Sequence, residues 1–525
     1  MSQVSGEQPS FNLTDYFIDR HVREGRAEKV AVRCNESSYT YGALASDVNR
    51  VGNGLLSLGL QDEQRVLLLL PDCPEFVIAY FGVIKVGAVA IPTSTFAQTD
   101  DYDYFLSESK ARVLITHSTL LSGIAPLLNS LPHLRHVIVV GQPQAGCLDW
   151  NDWLARNSPE LSPARTSAED VAFWLWTSGS TGRPKAVVHL HYDWIHCCKN
   201  YAVGVLGICD NDITLSSSKL FHAYGLGNGL MFPFYVGAST VLLPGKAQSK
   251  SVLETAQIAR PTLLFSVPTL YIQMLQEAER EFYNLDSVRL AVSAAEPLPA
   301  EVYRRWLRKF GVEILDGIGS TEVLHVYLSA RRGNVKPGST GSAVPGYELR
   351  VVDSEEREVP SGTIGDLLVS GDSTAVHYWK RRHFTTARMR GKWFFTGDKY
   401  RVDEDGYFWY AGRSDDMFRV SGQWLSPTEV ESVLIEHECV LEAAVVAYRE
   451  DTGVHTPKAW VVLRDGVVAT PNLVRELQEF VKHRITPYKY PRRIEFVDRL
   501  PKTAAGKLLR YKLREITWDR SDVSH

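Results

Sequence analysis

Apolar residues in this chain fall into short Val/Ile/Leu runs separated by longer stretches with helical spacing. Residues 30–32 are followed by 41–58, then 65–70, then 74–85, and the alternation continues to about residue 400. Short apolar runs suit buried strands, and segments with apolar positions three and four residues apart suit helices. The pattern predicts βαβ units, a mostly parallel sheet and an α/β fold. Residues 171–176 and 186–191 read as two strands flanking a polar loop. Gly406-Tyr-Phe-Trp-Tyr-Ala-Gly412 reads as a strand ending in a turn, and Ser426-Pro427-Thr-Glu429 as a helix start with a serine cap, proline at the first position and an early acid. The apolar stretches at 66–70 and 83–92 are short or broken by Lys85, and neither is long enough to span a bilayer.

Length changes this picture by requiring more than one core: 525 residues are expected to form at least two domains. Hydrophobic content of 44% and charged content of 22% are those of a globular protein. A net charge of −4 argues against nucleic-acid binding, which calls for a basic field. Seven cysteines, scattered and without metal-ligand spacing, suit a reducing cytoplasm, and the N-terminus lacks the basic-then-apolar pattern of a secretory signal. No internal repeat or low-complexity tract is present.

The loop Trp176-Thr-Ser-Gly-Ser-Thr-Gly-Arg-Pro-Lys185 concentrates candidate chemistry. Gly179 and Gly182 let backbone N–H groups approach an anion, while Thr177, Ser178, Ser180 and Thr181 add hydroxyl donors. Lys185 adds a compact charge, and Pro184 stiffens the exit. Arg183-Pro184 after the second glycine excludes a Walker A loop. On residue types alone, an ordinary Gly/Ser/Thr turn between strands accounts for the segment equally well.

This string resembles the phosphate-binding signature of the adenylate-forming superfamily, which includes acyl- and aryl-CoA synthetases, adenylation domains and beetle luciferases. Four further matches follow in order: Phe221-His-Ala-Tyr-Gly225, Asp316-Gly-Ile-Gly-Ser-Thr-Glu322, Phe395-Thr-Gly-Asp398 running to Gly412-Arg-Ser-Asp-Asp416, and Pro501-Lys-Thr-Ala-Ala-Gly-Lys507. The resemblance implies a large multi-sheet N-terminal domain, residues 1–414, and a small mobile α+β C-terminal domain, residues 415–525, turning about Asp415. It implies ATP, Mg²⁺ and coenzyme A as reactants or cofactors. Thr177, Ser178, Gly179, Ser180, Thr181, Gly182 and Lys185 would hold the phosphates, and Glu322, next to Thr321, the metal. Ala295, Glu296, Pro297, Asp316, Gly317 and Ile318 would border adenine, with isoleucine replacing the tyrosine common at position 318. Asp398 would take the ribose hydroxyls and Arg413 the ribose and phosphates. Lys507 would bridge carboxylate and α-phosphate, and Gly422 would line the passage for the phosphopantetheine arm. Taken singly, each of these charged residues is more often a solvated surface group.

Leu220-Phe-His-Ala-Tyr-Gly-Leu-Gly-Asn-Gly229 with Gly319-Ser-Thr-Glu-Val-Leu-His325 resembles the benzoate-CoA ligase branch. By that resemblance Phe221, His222, Ala223, Tyr224, Gly319 and His325 surround the ring and carboxylate of an aryl acid, benzoate or 2-aminobenzoate, although plain core packing also explains residues of these types. His222 and Ala295 depart from residues frequent in the family. The implied reaction is ATP-dependent aryl-CoA formation with release of AMP and pyrophosphate, by a monomer or homodimer. A separate carrier protein is the alternative acceptor, and a nucleotide-sensing protein on the same fold the non-enzymatic alternative.

Overall fold

The computed structural model describes residues 10–128, 130–177, 183–414, 416–420, 423–450, 455–502 and 508–519. The predicted alternation folds into two large sheets. The nine-stranded sheet has a parallel centre in the order Ile314–Gly319, Leu290–Ser293, Leu263–Ser266, Ile213–Ser216, Ser239–Leu242 and Val30–Cys34. In the eight-stranded sheet, Arg65–Leu69 lies between Val89–Pro92 and Val113–His117. Val171–Thr177 extends this sheet in parallel, and Lys185–Leu190 then His377–Tyr378 close the edge antiparallel.

The helix Pro74–Lys85 carries proline in its first turn and is buried at every position except Glu75. Lys85 interrupts its apolar run but is buried too, with Nζ 2.6 Å from Asp19 Oδ2 and hydrogen-bonded to Asn49 Oδ1. A buried lysine of this kind is tolerated because its charge is paired.

Residues 348–413 depart from the predicted βαβ pattern. Glu348–Val352, Gly365–Ser370, Trp393–Val402 and Phe408–Arg413 pair antiparallel, with Met389–Arg390 at the edge. Burial alternates strictly along Trp393-Phe-Phe-Thr-Gly-Asp-Lys-Tyr-Arg401, as a sheet covered on one face requires.

A separate hydrophobic core begins at Phe418. Helices Pro427–Ile435 and Pro471–Lys482 pack over the sheet Val440–Arg449, His455–Leu463 and Arg493–Phe496. The predicted helix start is present, with Ser426 Oγ accepting from the Glu429 N–H. Among the described residues no helix is long and apolar enough to cross a membrane.

Candidate active site

The parallel strands Leu290–Ser293 and Ile314–Gly319 end at a cleft of about 270 Å³ walled by residues from both cores. Ala295, Glu296 and Pro297 line it opposite Asp316, Gly317, Ile318 and Gly319, and Asp398 and Arg413 complete the N-terminal wall. The outer wall is formed by Glu431, Glu442, Lys502, Leu508 and Arg510. Ligands of open α/β sheets bind in this position, beyond the carboxyl ends of the strands.

Asp316 is 7% exposed, and its Oδ1 has no hydrogen-bond partner. Burial pushes its carboxyl well above the usual range, against the pull of the Leu298 and Gly317 backbone. An orphaned buried acceptor in a cleft wall is costly unless a ligand supplies a donor. Ala295 is held at φ 75°, a left-handed conformation disfavoured for a residue with a Cβ. Glu296 Oε2 accepts from Thr269 Oγ1 at 2.9 Å.

Asp398 and Arg413 are register partners on antiparallel strands, and Arg413 Nη1 lies 3.1 Å from Asp398 Oδ1. Carboxylate oxygens fixed by an arginine suit a diol, and guanidinium N–H groups suit an anion.

Thr177 and Lys185 are likewise ladder partners, so the polar loop leaves and re-enters the sheet at one rung. Ser178, Gly179, Ser180, Thr181 and Gly182 lie outside the described residues. Lys185 Nζ lies 4.5 Å from the centre of the Phe384 ring. Desolvation lowers the lysine's pKa, Glu322 opposes that, and Arg388 and Arg381 add to it.

Glu322 is tethered at every carbonyl around it. His189 Nε2 lies 2.8 Å from Thr321 O, Ala375 N–H donates to Glu322 O at 2.8 Å, and Ser373 Oγ donates to Val323 O at 2.8 Å. The side chain is also fixed, because Tyr378 O–H donates to Oε1 at 2.8 Å. His189 is itself held by Asp193, with Nδ1 2.7 Å from Oδ2. Neither His189 nor Tyr378 was singled out from the sequence. Their roles arise from the pairing of His377–Tyr378 with Val187 and Val188, which no local pattern announces.

Phe221 is buried against Phe96 at 5.8 Å, edge to face, which adds Phe96 to the predicted wall. Ala223 opens a short helix, with His222 extended before it. Tyr224 O–H lies 3.2 Å from both Ser266 O and Val292 O. His325 Nε2 lies 3.4 Å from Tyr224 O, and its buried Nδ1 has no partner. Desolvation holds His325 at about 3 and His222 at about 4, so both are neutral donor–acceptor groups at pH 7. Gly319 was expected to make room for a ring. A Cβ there would lie 2.4 Å from His325 O, so close backbone approach already demands glycine.

Lys507 lies outside the described residues, but the ends of its loop are fixed at the cleft. Lys502 and Leu508 form an antiparallel bridge, Leu509 N–H donates to Pro501 O at 2.9 Å, and Lys502 Nζ is 2.7 Å from Glu442. Asp415 and Gly422 also lie outside the described residues.

Family models match two parts of the chain. The AMP-binding enzyme family model matches residues 18–379, and the model of the AMP-binding enzyme C-terminal domain matches 429–507. The benzoate–CoA ligase of Thauera aromatica is 46% identical over 96% of both chains. The crystal structure of the anthranilate CoA ligase AuaEII in complex with anthranoyl-AMP superposes with a TM-score of 0.95 at 40% identity, over 99% of this chain and 100% of that one. A benzoate CoA ligase from Burkholderia xenovorans superposes with a TM-score of 0.90 at 40% identity, over 96% and 100%. The likeness thus extends over nearly the full length of the chain, and the chain belongs to the AMP-binding enzyme family.

Proposed function

We propose that this protein is an ATP-dependent aryl-CoA ligase acting on benzoate or 2-aminobenzoate. The supporting observation is the cleft itself. The orphaned carboxyl of Asp316 and the Asp398–Arg413 pair share its wall, and the helical turn carrying Glu322 continues from Gly319 of the same wall. That sequence of groups suits a base, a ribose and a polyphosphate in order. Identity to the relatives named above supports the aryl acid.

In the first step a carboxylate oxygen attacks the α-phosphorus of ATP. The bond to the bridging oxygen breaks, and pyrophosphate leaves with its electron pair. Two anions must converge, so the chain has to supply positive charge and fixed donors. Thr177, Ser178, Gly179, Ser180, Thr181, Gly182 and Lys185 would grip the β- and γ-phosphates, and Lys507 would bridge the carboxylate and the α-phosphate. In the second step the CoA thiol gives up its proton and sulfur attacks the acyl carbon. The acyl C–O bond then breaks and AMP departs. Rotation of residues 415–525 against 1–414 about Asp415 would exchange Lys507 for the passage at Gly422 between the steps.

Glu322 fits Mg²⁺. With Oε1 engaged by Tyr378, a single carboxylate faces the phosphates, and among the described residues no group of three His, Cys, Asp or Glu side chains forms a protein-only metal cage. Magnesium is commonly held by one or two carboxylates plus substrate phosphates. Bound there it would neutralise phosphate oxygens.

The test is ATP–pyrophosphate exchange and thioester formation across benzoate, 2-aminobenzoate, 4-hydroxybenzoate, cinnamate and octanoate. Preference for a small aryl acid with CoA consumption is expected. Turnover of octanoate without benzoates would refute the assignment, and exchange without CoA consumption would shift it to carrier loading.

A further inference from the structure

Helix Arg382–Arg388 belongs to no motif in the sequence, yet it packs against Lys185 and Tyr378. It is tied down where Thr385 Oγ1 accepts from Tyr378 N–H at 3.1 Å, and its Phe384 ring faces Lys185 Nζ at 4.5 Å. Its last residue, Arg388, reaches toward the strand that carries Asp398. Arg388 Nη1 donates to Phe395 O at 3.0 Å. A Cβ placed at Gly397 would lie 2.5 Å from Arg388 Nη1 and 3.0 Å from Arg413 Nη2, so two guanidinium groups converge on one point.

Among the described residues, Lys185, Arg388 and Arg413 gather near Asp398, which is paired with Arg413, and Glu322, which is bonded to Tyr378. Nearby Arg381 is matched separately by Glu108 at 3.1 Å. Guanidinium carries five donors, and among the described residues Arg388 uses one nitrogen, on a neutral carbonyl. Like charges held together inside a partly desolvated cleft repel, and an anion between them removes that cost. Lys185 registers the same field, since Arg388 is among the groups that lower its pKa. Gly397, at φ 77°, carries no side chain, which lets both guanidinium groups close on its backbone.

We propose that Arg388 is a third cation of the nucleotide site, donating to the α- and β-phosphate oxygens of ATP and to pyrophosphate before it leaves. Its place between Lys185 and the Asp398–Arg413 pair puts it at the bond that breaks. This rests on the reading of the cleft as an ATP site. A purely structural Arg388, tying its helix to Phe395 O, would leave polyphosphate affinity untouched.

The experiment measures binding of ATP and inorganic pyrophosphate by calorimetry to the full chain and to Arg388→Gln, Arg388→Met and Arg388→Lys, with Arg413→Gln as control. Loss of a charge-assisted bond predicts affinity reduced about tenfold or more for both ligands in Arg388→Gln and Arg388→Met, with partial recovery in Arg388→Lys. The KM for the aryl acid and the thermal midpoint should stay unchanged. Arg388→Met keeps the apolar stem, so it separates lost charge from lost packing. If Arg413→Gln weakens ATP while the Arg388 variants bind both ligands normally, the inference fails and the site reading stands. If no variant changes ATP binding, both fail.

Discussion

Tyr378 donates a hydrogen bond to Glu322: the phenolic oxygen lies 2.8 Å from Oε1. The tyrosine sits on an edge strand whose partner begins at Lys185, so this one bond references the carboxylate to the strand that carries the phosphate lysine. Tyr378→Phe keeps the ring and removes the tether. A hydrogen bond to a charged group is worth about 1.5–3 kcal/mol, so binding of Mn²⁺ with ATP, followed by electron paramagnetic resonance, should weaken about tenfold or more. Glu322→Gln should weaken it further. Unaltered Mn²⁺ binding in Tyr378→Phe alongside a loss in Glu322→Gln would limit Tyr378 to packing.

His189 is fixed at both ring nitrogens, by Asp193 and by the Thr321 carbonyl. His189→Ala leaves Asp193, 2% exposed, without its partner. Leaving a buried polar group without its hydrogen-bond partner costs about 1–3 kcal/mol. Urea unfolding should show a loss of that order, with a raised KM for ATP as Thr321 and Glu322 relax. Asp193→Asn, which preserves shape and an acceptor, should cost less. A loss below about 1 kcal/mol in His189→Ala would mean the pair is not coupled to the fold as described.

Ala295 lies in the cleft wall at φ 75°. Glycine removes the Cβ penalty of about 1–2 kcal/mol and returns part of it as backbone entropy. Ala295→Gly should therefore raise unfolding stability by roughly 0.5–1 kcal/mol. A destabilised variant would show that the methyl group contributes packing beyond its strain.

His222 gives a pH signature. Desolvation lowers it to about 4 in the fold, against about 6.5 when unfolded. Between those values the unfolded chain binds the extra proton, so stability falls as pH drops from 6.5 toward 4 and levels off below. His222→Gln should lose this component. The stability difference between variant and wild type should be constant above pH 7 and shift in the variant's favour on acidification. A difference independent of pH would show that His222 titrates normally.

Much of this architecture was legible in local pattern, and the remainder was not for identifiable reasons. The strands flanking the polar loop and the cap at Ser426 follow from spacing and residue type, and the fold realises both. The antiparallel sheet of residues 348–413 was missed although Trp393–Val402 alternates with period two, because the preceding βαβ rhythm was carried past its end. That the approach of His325 O demands glycine at 319 is visible only in the fold. His189, Tyr378 and Phe96 act through partners far away in sequence, and no window of neighbouring residues contains that information.

Benzoate labelled with ¹⁸O in both carboxylate oxygens, incubated with the full chain, ATP, magnesium and CoA, tests the acyl-adenylate most directly. Attack of the carboxylate on the α-phosphorus followed by thiol displacement predicts AMP carrying one ¹⁸O and a thioester carrying the other. Label appearing in inorganic phosphate or pyrophosphate, with AMP unlabelled, would contradict the account.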